Sequence, residues 1–159
     1  MRVGILAVLL VGMLQATQVP TMSLEQVVDQ AEVIAEGRVV RSWSGWDAAH
    51  RYVWTHYEVE VDGVLAGAAG RRMVLSEPGG EADGVRMVVS GAVPYGMGEA
   101  VMVFAYRTPV GFWRTVGWQQ GKYTRVGDAF VQGGQALGAA EFRIRVREAA
   151  TRRGERSRP

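Results

Sequence analysis

Alternation is the feature that most restricts what this chain can become. From Tyr52 to Val61, the side chains Tyr52, Trp54, His56, Glu58 and Glu60 take turns with Val53, Thr55, Tyr57, Val59 and Val61. A period of two sends the two sets to opposite faces of a β-strand, and the valine-bearing set is the inward one. The preceding run, Val33 to Trp43, mixes Val33, Ala35 and Val39 with Glu36, Arg38 and Arg41 and reads as its partner. Gly37 would weaken that strand unless a bulge or a close backbone approach requires it, and a small barrel needs such a bend to close. Ser42 to His50, with Gly45 and Asp47, has turn chemistry. Ala31 to Leu65 is therefore predicted to be a hairpin whose exposed loop carries Trp43 and Trp46.

The rest of the chain repeats the strand theme. Arg72 to Ser76 and Val85 to Ser90 are short strands separated by a Pro78-Gly79-Gly80 loop. Ala100 to Tyr106 is apolar on both faces, as in the most buried strand of a sheet. Phe112 to Trp118 and Tyr123 to Val126 read as a further hairpin, and Ala129 to Gln132 adds an edge. Upstream, Ser23 and Gln26 have capping-box spacing, flanked by the staple pair Met22 and Val27. A short helix is predicted to start at Ser23, with Leu24, Val27, Val28 and Ala31 on one side, plugging an open end of the barrel. Downstream, Phe142, Ile144 and Val146 alternate with arginines as in a strand, whereas Phe142, Val146, Ala149 and Ala150 share a helical stripe. The density of helix formers favours a helix over 138–153, with a disordered tail over 154–159.

Met1-Arg2, the apolar run Val3 to Leu14, and then Gln15-Ala16-Thr17 have the order of a secretory signal peptide over 1–17. That apolar run is too short for a membrane span, so no stable span is expected after its removal. The remaining roughly 140 residues (18–137 as the β domain, followed by the helix) can bury a core without staples. There is no cysteine, which excludes thiol catalysis and cysteine metal sites. Charge is uneven: residues 141–159 hold seven arginines against three glutamates, whereas the body, Arg2 aside, holds ten basic and thirteen acidic residues. The basic character therefore belongs to a solvated terminus, and nucleic acid is not the expected partner.

His56 with Glu58, joined by His50 and Glu60 if the alternation reaches back that far, could present metal ligands from one strand face, but a zinc site needs three or more ligands at fixed geometry. A solvated polar face is the competing reading. Ser76 or Ser90 with His56 and Asp83 would make a hydrolase triad on paper, without a Gly-x-Ser-x-Gly elbow. No cofactor is indicated. The aromatic supply is more informative: Trp43, Trp46, Tyr52, Trp54, Trp113 and Trp118 lie on or near the two hairpins, and with His56 they are the candidate binding residues. Exposed rings want an apolar partner, whether protein, sugar ring or capping helix; half or more are expected to be core.

Several stretches carry a resemblance: SLEQVVDQAEVIAEGRVV (Ser23 to Val40), the strand around Trp54-Thr55, PGGE (Pro78 to Glu81), SGAVPYGMGEAVMVF (Ser90 to Phe104) and VGWQQGKY (Val116 to Tyr123). They resemble a group of uncharacterised secreted bacterial proteins. The first strand is also distantly similar to netrin-like domains, the OB-type barrels to which tissue metalloprotease inhibitors belong. Those animal domains depend on an N-terminal cysteine and disulfides, so the likeness extends to the barrel and not to an inhibitory mechanism. It implies no catalytic residues.

The expectation is a mainly β fold: a small OB-like β-barrel of about six strands with a short N-terminal helix and a C-terminal helix. Its expected role is that of an exported, periplasmic or secreted binding module for a protein or a glycan. A hydrolase or metal-dependent enzyme centred on His56 and Glu58 is the alternative, and carbohydrate binding through the tryptophans is a further one.

Overall fold

The computed structural model describes residues 20–156. The signal peptide expected over 1–17 and the last three residues of the expected tail lie outside them. Ser23 forms the capping box its spacing announces: Gln26 N donates to Ser23 Oγ (3.2 Å) and Ser23 N to Gln26 Oε1 (2.7 Å), starting helix α1 at Leu24–Gln30. Strands β1 (Val33–Trp46) and β2 (Val53–Ala66) form the hairpin and run longer than their alternation suggested. Trp43 and Trp46 thus stand on β1 itself and not in a loop, while Tyr52 precedes β2 in the turn.

Then come β3 (Arg72–Pro78), β4 (Gly80–Ala82), β5 (Val85–Met87), β6 (Ala100–Arg107), β7 (Trp113–Thr115), a 3-10 turn at Trp118–Gly121, β8 (Lys122–Val126), β9 (Ala129–Gln132), β10 (Gln135–Gly138) and α2 (Ala139–Arg156). The fold is mainly β with a helix near each end of the described residues. Ten strands are present there against about six expected. The surplus comes from elements of three or four residues, whose pairing depends on tertiary partners more than on a readable period.

The large sheet runs β1-β2-β3-β7-β6-β8-β9-β10, and β1 also pairs with β6. The pairings β1–β2, β2–β3, β3–β7, β7–β6 and β6–β1 therefore return to the strand they start from; only β3–β7 is parallel, through the single pair Leu75 and Trp113. β4 and β5 pair separately, which removes Val85 to Met87 from the main sheet. Gly37 sits at a register shift of β1, where an added Cβ would lie 2.2 Å from Glu60 O, so the close approach expected of it is real.

Two apolar cores share β1 and β6. Val33, Ala35, Val101, Val103 and Ala105 form one buried cluster with Val39, Val59 and Leu75. Ile34, Met102 and Phe104 face the other way, onto Val27 and Val28 of α1 and Phe142, Val146 and Ala149 of α2. β6 is thus buried on both faces, as its sequence indicated. The helix stripe beginning at Phe142 prevails over the strand alternation. α1 does not plug an end of the ring; it packs with α2 over the outer face of β6.

Of the α2 arginines, Arg145, Arg147, Arg152 and Arg156 are exposed, as expected of a solvated terminus, whereas Arg143 and Arg153 are half-buried, and several of the group hold the helix in place. Arg143 Nε and Nη2 reach Glu36 Oε1 and Oε2 at 2.6 and 2.7 Å, and Arg156 Nη2 reaches Asp29 Oδ1 at 2.6 Å. Arg153 donates to the carbonyls of Val28 and Ala31 at the C-terminal end of α1, satisfying acceptors that a helix end leaves open. These contacts carry α2 through Gly154 to Arg156, past its expected end. No helix among the described residues is long and apolar enough to cross a membrane.

Candidate functional site

The register of β1, β2 and β3 aligns Trp43, His56 and Ser76 in one cross-strand row. The Trp43 and His56 rings lie 5.3 Å apart, and His56 Nδ1 is 2.8 Å from Ser76 Oγ. A tight loop brings in Phe112: Thr108 N donates to Phe112 O (2.8 Å) and Phe112 N to Thr108 Oγ1 (3.0 Å), with Gly111 at φ +88°. The Phe112 ring then meets His56 edge-on at 5.8 Å and Trp54 at 5.3 Å. Arginines continue the row. Arg41 lies over Trp43 at 4.9 Å, and Arg114 lies over Trp54 and Trp118 at 5.8 and 5.2 Å.

The result is one band, Arg41, Trp43, His56, Phe112, Trp54, Arg114 and Trp118, on the sheet face opposite Tyr57 and Val59. None of the five tryptophans is buried, whereas half or more of the aromatic rings were expected to be core. Trp43 is 36% exposed and Tyr52 54%. The structure joins Trp43, Trp54, His56 and Trp118. Trp113 stands beside the band, under the Arg107 guanidinium at 4.5 Å, because the β6–β7 register pairs those two residues. Trp46 belongs elsewhere: it stacks on His50 at 4.4 Å and donates to Asp83 Oδ2 at 3.1 Å.

The metal and triad arrangements are not assembled. His50 sits in the turn with φ +54°, off the strand that bears His56. Glu58 accepts from Arg72 Nη1 at 2.8 Å. Among the described residues no group of three or more His, Cys, Asp or Glu is placed to hold a metal ion. Ser76 is 2% exposed and lies against His56 Nδ1, but Asp83, the third member of that triad, is engaged by the Trp46 indole instead. Ser90 is exposed in a turn. Burial pushes the His56 imidazole below its ordinary value, which favours the neutral ring.

Beneath the band lies a polar relay. Glu77, 2% exposed, accepts at Oε1 from Thr115 N (3.0 Å) and Thr115 Oγ1 (2.7 Å), and the Tyr95 hydroxyl is 2.7 Å from the same Thr115 oxygen. Since Thr115 gives its one proton to Glu77, Tyr95 is the donor to Thr115. Arg114 Nη2 approaches Glu77 Oε2 at 3.5 Å, while Arg114 Nε is buried without a partner. Burial raises the Glu77 carboxyl and raises Tyr95 well above its ordinary value.

Sequence reasoning missed Phe112 as a bridge and the arginines that cover the indoles. Only Arg41, two positions before Trp43 on one strand face, carried a signal. Arg107 and Arg114 reach their rings through pairings that have no local signature. Comparison with protein-family models finds no match, and comparison with curated proteins finds no similar sequence.

Proposed function

We propose that this protein is an exported, non-enzymatic binding module whose partner, an extracytoplasmic protein or glycan, docks on the aromatic band. The observation that carries the proposal is the continuous row of Trp43, His56, Phe112 and Trp54 on an outer sheet face, with every tryptophan left partly open to solvent. Rings held in this way bring large apolar area and little rotamer entropy to an interface. The cyclic strand pairing supports reading the scaffold as a small OB-like barrel of the secreted type that the sequence resembles, and such barrels bind diverse ligands on one face. Export rests on the apolar run Val3 to Leu14.

The test is capture from the native envelope and culture fluid, with proteins and glycans identified together, on the parent chain beside a Trp54→Ala, His56→Ala double variant. A partner kept only by the parent supports the reading. Equal capture by both removes the band from it. A glycan array decides between the two partner classes, since a sugar signal must fall on Trp54→Ala if the indole stacks on the ring. The hydrolase alternative retains one supporting contact, His56 to Ser76, and a screen with activated esters tests it through Ser76→Ala.

A further inference from the structure

Next to the aromatic band lies a cleft of ≈ 430 Å³ whose walls include His56, Arg72, Ser76, Arg107, Phe112 and Trp113. Its ionisable lining is one-sided: two arginines and a histidine, with no carboxylate among the described lining residues. The two arginines differ. Arg72 gives Nη1 to Glu58 at 2.8 Å. The Arg107 guanidinium carbon lies 4.5 Å from the centre of the Trp113 ring, and the group makes no hydrogen bond or ion pair with any described side chain. A guanidinium over a ring is held in place while its N–H donors stay available, an arrangement that suits a planar oxyanion.

We propose that this cleft takes a carboxylate carried on an apolar body, with Arg107 and the remaining donors of Arg72 holding the oxyanion and the Phe112 and Trp113 edges meeting the apolar part. This assignment rests on the binding-module reading, because the cleft shares His56 and Phe112 with the band. A single negative charge is the better match. One guanidinium has no ion pair with a described residue, the other is already paired, and burial favours the neutral form of His56, so a dianion would bring a second charge into walls that otherwise include Ala69, Met73 and Val74. Ser76 and the His56 ring add neutral hydrogen-bonding groups at one end of the same wall. The carboxylate has two sources, a small free acid or the C-terminus of a peptide, and the chemistry recognised is the same.

The experiment titrates the protein with phenylacetate and phenylacetamide by two-dimensional NMR, following the His56 ring and the Arg107 side chain. The acid is expected to bind at least about tenfold more tightly than the amide, the difference one charge-assisted hydrogen-bonded pair makes. Arg107→Gln removes that preference, and Arg107→Lys keeps part of it because it retains charge without the planar fork. A bound anion also raises the His56 pKa relative to the ligand-free protein. The tripeptide Ala-Ala-Phe with a free or amidated C-terminus distinguishes the sources: a peptide acid that outbinds phenylacetate about tenfold marks a chain terminus, and equal binding marks a small acid. Equal affinity for acid and amide in the parent overturns the assignment, as does unchanged acid binding in Arg107→Gln. Trp43→Ala, which lies off the cleft, judges the aromatic band separately through partner capture.

Discussion

Arg143 grips Glu36 with two parallel hydrogen bonds of 2.6 and 2.7 Å across 107 positions of sequence, tying α2 to the strand that both cores share. Both side chains are mostly shielded, so this pair lies between an exposed ion pair and a buried one. Arg143→Ala is expected to cost about 1–3 kcal/mol in chemical denaturation, with Arg143→Lys recovering only part. A loss no larger than that of an exposed control such as Arg147→Ala would show that the clasp does not hold the helix.

Gly37 has no room for a side chain. An alanine Cβ there meets Glu60 O at 2.2 Å and Val59 Cγ1 at 2.7 Å, at a register shift of the β1–β2 ladder. Gly37→Ala should destabilise by about 1–3 kcal/mol, read as a lower melting temperature, because backbone must move to accept it. Gly45→Ala, where nothing lies within 4 Å, serves as the neutral comparison.

Glu77 gives the stability profile a component of unusual sign. Burial raises its carboxyl above the ordinary 4.5, against the pull of its Thr115 hydrogen bonds and of Arg114. Between those two values the folded chain keeps a proton that the unfolded chain has released. Its contribution is therefore complete below the window, falls as pH rises through it, and levels off above. Glu99, lowered by its Thr124, Gly96 and Lys122 contacts in spite of burial, acts in the opposite direction. The check is the difference between parent and Glu77→Gln in denaturation midpoint across the pH range above 4.5, where the parent alone should show the falling component.

The relay behind Glu77 predicts an order of losses. Tyr95→Phe removes one donor and should cost about 1 kcal/mol, since the Thr115 hydroxyl keeps its bond to Glu77. Thr115→Val removes the partner of two buried groups at once, at about 1–3 kcal/mol for each. Denaturation curves showing the reverse order would contradict the direction of donation from Tyr95 through Thr115 to Glu77.

The parts of this fold that could be read from the sequence are those with local causes. The Ser23 capping box, the inward Val53 and Val59, the demand placed on Gly37 and the two-faced burial of β6 all follow from spacing within a few residues. What was hidden depends on distant partners. Arg153 looks like a solvated tail residue until the carbonyls of Val28 and Ala31 stand opposite it, and nothing near Trp113 announces that strand register will lay Arg107 over its ring. The same holds for the candidate site. Trp54 and His56 share a face by alternation alone, but Phe112 joins them only because the Thr108 loop turns it back. The run Phe112 to Trp118 reads as a strand, whereas Trp118 opens a 3-10 turn with φ +57°, a backbone state that strand alternation cannot signal.

The most direct test of the account places a photo-reactive benzoylphenylalanine at Trp43 on the band or at Ile144, an exposed apolar position on α2, and irradiates each protein in its native envelope extract. A discrete covalent partner at position 43 that is absent at 144, and that disappears when Trp54 is also changed to alanine, is the predicted result. Capture at 144 alone, or at 43 with no dependence on Trp54, would contradict the claim that the aromatic band is the binding surface.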